Sequence, residues 1–221
     1  SSQTSSPLYN ASATMSAIAF NSTETEGEEL VLFGQSFTIA SATGTTDLVL
    51  LKEAERVSLD TTNPSATVTI GGSEYTLTLV SASDTAATIK VTDSTGASAS
   101  KEVNEAASKK IQGVEIAVVN ADETNLQLSA TVIAGADKLT FTPGTTVTKG
   151  SDATPVDGTF VYLTGGTGAC TEIAVAVFRP DSSDDAIVEG GSFVDPVFGS
   201  FKIDFAGMSS PLDNTNRDKI S

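Results

Sequence analysis

From Glu28 onward the chain falls into short runs of strand pattern, most with apolar side chains at every second position, the period of a strand with one buried face. "ELVLFGQSFTIA" (29–40) and "DLVLL" (47–51) flank the turn-like "SATGTT". In "ATVTIGGSEYTLTL" (66–79), Tyr75, Leu77 and Leu79 alternate with Thr76 and Thr78. Gly71-Gly72 in its middle supplies the positive φ of a two-residue hairpin turn. Strand patterns recur in "ATIKVTD" (87–93), "GVEIAVV" (113–119), "LQLSATVI" (126–133), "KLTFT" (138–142), "TFVYL" (159–163) and "TEIAVAVF" (171–178). Turn signals about ten residues apart predict a sandwich or barrel. Only "KEVNEAASKK" (101–110) reads as a helix, and a short one.

Three stretches depart from this pattern. Residues 1–23 carry no charged side chain, and "ATMSAIAFN" alternates weakly with Ile18 and Phe20 on one face. That predicts an extended arm adding to a sheet edge by main-chain hydrogen bonds, in its own subunit or the next. Ile18 and Phe20 are its candidate assembly residues. "TPGTTVTKGSDATPVDG" (142–158), rich in Thr, Gly and Pro, reads as a boundary. "GGSFVDPVFGSFKIDFAG" (190–207) gathers four phenylalanines. Phe201, Ile203 and Phe205 are expected on the core face of a strand, with Lys202 and Asp204 opposite. Phe198 sits near a corner set by Pro196 and Gly199, where it either plugs its own domain or docks on a neighbour.

The expectation is an all-β chain of two consecutive antiparallel β-sandwich-like domains with an extended N-terminal arm. The arm takes residues 1–27, the first sandwich 28–143, a smaller β domain 144–208 and a C-terminal linker 209–221.

Charge narrows the function. A net charge of −16 opposes binding to nucleic acid, whose phosphates need clustered Lys and Arg. Charged residues are nevertheless only 18% of the chain, so the surface is mainly hydroxyl-rich, as suits a secreted protein at a cell surface. No run of about 18 apolar residues is present, so no membrane span is expected.

Catalytic equipment is sparse. Without His there is neither a Ser-His-Asp triad nor a Cys/His metal site, and G-x-S-x-G is absent. "TGGTG" (164–168) lacks the Lys-Ser/Thr of a phosphate loop and reads as a turn. With 28 acids, paired carboxylates arise by chance and carry no weight. Cys170 is expected to be a buried small residue. An enzyme is therefore not expected. In "DSSDD", Asp181, Asp184 and Asp185 are the candidate ligands for a structural calcium, a cation held by loop carboxylates and carbonyls; no other cofactor is expected. Asn10-Ala11-Ser12 and Asn21-Ser22-Thr23 are N-glycosylation sequons, whereas Asn63-Pro64-Ser65 is excluded by its proline.

The order of several segments resembles archaeal S-layer proteins. These are "LVLFGQSFTIASATGTTDLVLLK", "ATVTIGGSEYTLTLVSASDTAATIKVTD", "KKIQGVEIAVVNAD" and "GGSFVDPVFGSFKIDFAG", together covering about residues 28–207. The "DPVFGSF" block carries most of the resemblance. It implies an extracellular β-sandwich glycoprotein whose partner is itself, self-assembled into a lattice, sheath or filament. The alternative is a surface adhesin or carbohydrate-binding module.

Overall fold

The computed structural model of the protein describes residues 6–178, apart from 21, 42, 45, 53, 166 and 167, together with residues 189–207. The fold is all-β: the described residues form nineteen strands and no helix. Two compact units divide the chain, Ser1–Arg179 and Pro180–Ser221.

Four antiparallel sheets build the first unit. One joins β6 (Ser65–Ile70), β7 (Ser73–Ser83), β8 (Ala86–Asp93) and β9 (Ser98–Asn104) in chain order. The Gly71-Gly72 hairpin forms as expected, with Ile70 paired to Ser73 and φ of 58° and 82° at the two glycines. The next sheet runs β5 (Glu55–Asp60), β12 (Gln127–Ala134), β11 (Val114–Thr124), β10 (Ala107–Ile111). These two sheets pack over a core that includes Leu77, Ile89, Val91, Ile116, Val118 and Val132.

Strand alternation gives the second sheet a second buried face. Ala117 on β11 and Ile133 on β12 point away from that core. They cluster instead with Ala40, Val49 and Leu51. Val49 and Leu51 belong to a third, six-stranded sheet of β15 (Thr154–Pro155), β14 (Thr148–Lys149), β13 (Asp137–Phe141), β4 (Leu48–Lys52), β3 (Gln35–Ile39) and β2 (Glu29–Leu32). The β5–β12–β11–β10 sheet is thus a middle layer shared by two cores. Strand β4 is buried on both faces, which is why "LVLL" is unbroken by polar residues. Its Leu48 and Leu50 pair with Phe141 and Leu139, all fully buried.

A fourth sheet orders β1 (Tyr9–Ala19), β17 (Ala169–Val177) and β16 (Thr159–Thr164). Val161, Ile173 and Val175 form its buried face. Tyr9–Ala19 of the N-terminal arm is therefore a strand, paired within its own chain. "TGGTG" lies between β16 and β17, and a side chain at Gly165 would collide with the Ala169 carbonyl.

Two readings of the first unit change. Residues 101–110 form no helix but parts of β9 and β10, divided at Glu105-Ala106, where Ala106 adopts φ 50°. Val103 and Ile111 are fully buried there. At about 1.5–3 kcal/mol per buried aliphatic side chain, they outweigh helix propensities worth tenths of a kcal/mol per residue. Residues 144–158 carry β14 and β15, which extend the third sheet and lie within the first unit.

In the second unit, β18 (Ser192–Val194) and β19 (Lys202–Asp204) form a hairpin with Phe193 opposite Ile203. Asp195 organises the connection: its carboxylate accepts the Ser200 hydroxyl at 2.9 Å and the Val197 amide at 3.3 Å. Among its described residues, the buried ones are Asp195, Val197 and Phe198. Phe201 and Ile203 are 37% and 56% exposed, so the expected core face of this strand is not a core. Alternation marks both faces of a hairpin but not which one is covered.

Candidate functional site

Main-chain edges are where a sheet meets another chain, and most edges in the first unit are closed. A Glu55 carboxylate oxygen accepts the Thr69 amide at 3.2 Å and caps β6. β9 and β10 are latched by lysines: Lys101 donates to the Lys110 carbonyl and Lys109 to the Glu102 carbonyl, each at 2.7 Å. On β16, Val161 exchanges hydrogen bonds with Gly144 and Thr145, each at 2.9 Å. β2 has four residues and starts at Glu29, β15 has two and ends at Pro155, and β5 carries Glu55, Arg56 and Asp60. Short strands, prolines and charges are the usual guards of a sheet edge.

β1 has none of these guards. It is eleven residues long, holds no charge and no proline, and forms the outer strand of its sheet. Its register with β17 is regular from Tyr9–Val177 to Thr14–Glu172, then shifts before Ile18–Cys170. The shift interrupts the ladder, so the regular stretch whose outer edge meets no strand among the described residues is Asn10–Thr14. Leu8 and Phe20 continue the ladder at its ends, donating to the Val177 and Gly168 carbonyls at 2.7 and 2.8 Å.

Alternation divides the side chains of β1. Tyr9, Ala11 and Ala13 are half-buried on one face, and Asn10, Ser12 and Thr14 stand exposed on the other. Across that outer face, Asn10 lines up with Ala176 and Phe160, and Ser12 with Ala174 and Tyr162. The two alanines leave a trough of about 370 Å³, lined by Pro7, Asn10, Ser12, Tyr162, Glu172 and Phe178 besides the alanines. Phe160 and Tyr162 pack with ring centroids 5.0 Å apart at 54°, and Tyr162 is 51% exposed. Sequence reasoning missed this trough. "FVY" and "IAVAV" hold its alternation, but which rows meet depends on a register set between distant strands.

Of the assembly candidates, Ile18 is buried opposite Cys170 and anchors β1. Phe20 is half-buried and rims a small depression with Pro143 and Leu163. Phe198 is fully buried within the chain. Asn10 is exposed on β1, while Asn21, Asp181, Asp184 and Asp185 lie outside the described residues. Among the described residues, no group of three or more acidic, His or Cys side chains is placed to hold a metal, and no helix is long and apolar enough to cross a membrane. Cys170 is buried, and desolvation pushes its thiol pKa up, away from the reactive thiolate. Comparison with models of known protein families and with curated protein sequences finds no match.

Proposed function

We propose that this chain is a structural cell-surface protein, secreted and assembled with copies of itself into an S-layer-like lattice, sheath or filament, and not an enzyme. Copies join through the outer edge of β1. The observation that carries this reading is the contrast, among the described residues, between that long uncharged edge and the capped, short or charged edges elsewhere in the first unit. A neighbour's strand laid along Asn10–Thr14 would gain main-chain hydrogen bonds worth about 0.5–1.5 kcal/mol each. One such contact is weak, but a repeating array multiplies it through effective concentration. A contact that pairs β1 with a different edge of the next copy propagates instead of closing. The hydroxyl-rich, acidic composition and the order of segments shared with S-layer proteins support the same reading.

Removing residues 1–23 would also strip buried Ile18 from its place, so charging the edge is the cleaner test. Thr14→Lys with Ser16→Lys alters two exposed positions on β1. Electron microscopy of the purified parent should show sheets or filaments. The doubly substituted chain should remain as single particles with unchanged far-ultraviolet circular dichroism. A variant that assembles like the parent, or a parent that yields only single particles at high concentration, overturns the proposal.

A further inference from the structure

The trough on the outer face of the β1–β17–β16 sheet points to a covalent occupant. We propose that Asn10 is an N-glycosylation site whose saccharide lies across this trough against the ring of Tyr162. Three observations converge on it. Asn10 and Ser12 are two apart on one strand, so the sequon presents both its chemical groups on the same exposed face. The rows Asn10–Ala176–Phe160 and Ser12–Ala174–Tyr162 run from the acceptor to the aromatic pair across one small-residue strand. Two strand spacings of about 4.8 Å each separate them, a gap that one or two sugar residues cover. Tyr162 keeps half its surface exposed at the far wall, while its other neighbour, Phe160, holds the ring in place.

The lining suits a saccharide. A pyranose ring offers one face of C–H groups to the negative face of an aromatic ring, and its hydroxyls seek polar partners. Glu172, half-buried in the trough, supplies a carboxylate acceptor. Ala174 and Ala176 leave room that larger side chains would fill. The modification needs an activated saccharide on a lipid phosphate or pyrophosphate carrier. The Asn10 Nδ2–C1 bond forms as the C1–O bond to the carrier breaks, the lipid phosphate or pyrophosphate leaves, and one amide proton is released. A transferase of the secretory route catalyses that step on the extended chain. The glycan projects from a face of β1 and leaves the main-chain edge of the strand uncovered, so this inference does not rest on the assembly reading.

The test uses the full chain secreted from an N-glycosylating host. Mass spectrometry of the peptide bearing Asn10 should show a saccharide increment that disappears in Ser12→Ala. Thermal unfolding of the parent, Asn10→Gln, Tyr162→Ala and the double variant then forms a cycle. Tyr162→Ala should lower the midpoint by about 2–4 °C more in the glycosylated chain than in the Asn10→Gln background, and Tyr162→Phe should restore it. An unmodified Asn10 overturns the proposal. So does a glycan present without coupling to Tyr162, or a trough that binds free oligosaccharide equally well in Asn10→Gln.

Discussion

At the scale of single residues, the least comfortable position is Thr38. Its hydroxyl is buried in the third sheet beside Leu51, its cross-strand partner, and among the described residues it is the buried side-chain polar atom without a hydrogen-bond partner. An unsatisfied hydroxyl costs about 1–3 kcal/mol of desolvation. Thr38→Val keeps the β-branched shape and removes that cost. It should raise stability by about 1 kcal/mol, read as a higher urea midpoint at unchanged m-value; a lower midpoint would show that the hydroxyl is serving a partner. Cys170, by contrast, is comfortable: its thiol donates to the Glu172 carbonyl at 3.3 Å within a buried pair with Ile18.

At the scale of elements, the turn between β8 and β9 is organised by one carboxylate. Asp93 accepts the Thr95 hydroxyl at 2.6 Å, the Thr95 amide at 2.9 Å and the Ala97 amide at 3.1 Å, and its other oxygen accepts Gln112 at 2.9 Å. The bond from the Thr95 hydroxyl, then that from Gln112, hold its pKa down at about 2. A depressed carboxylate stabilises the fold above its unfolded pKa and loses that contribution as pH falls through the folded value. The contribution is therefore full above about pH 4 and fades towards pH 2. Asp93→Ala should melt lower than the parent at pH 6, and the gap should narrow as pH is lowered from 4 to 2. A gap independent of pH over that interval would remove Asp93 from the turn's electrostatics.

Turns of this kind explain what was legible. Gly71-Gly72 declares its hairpin because only a primed turn needs two positive φ values in succession, and Leu77 and Leu79 declare their face by alternation alone. The β9–β10 segment was illegible because Val103 and Ile111 decide it through burial, which no local propensity records. Phe198 and Ile203 show the same limit. Both belong to one aromatic-rich segment, yet one is fully buried and the other open, a difference that the segment's own pattern does not record. The trough beside Asn10 needed the pairing of residues more than 160 positions apart, and no local pattern in the sequence specifies that pairing.

At the scale of the whole molecule, the shared middle layer couples the first unit. Ile133 faces Val49 and Leu51, while its strand neighbours Val132 and Ala134 belong to the core on the other side. Ile133→Ala should cost about 2–5 kcal/mol. It should weaken both flanking sheets at once, because neither can lose β12 as a support and remain packed. Hydrogen exchange should then show amides of β4 and β8 losing protection together. If β4 opens while β8 keeps parental protection, the two cores are independent.

One pairing also sets a clock. Tyr9 meets Val177, so the first described strand of the unit bonds to the last described one. At roughly 5–20 residues per second of synthesis, β1 waits on the order of ten to thirty seconds before β17 exists. Contacts this remote along the chain are also slow to close. Throughout that interval the first strand is complete, neutral and single, and any finished β17 nearby competes for it. Whether sheet closure stays within one chain therefore turns on how crowded the newly made chains are as much as on contact strength.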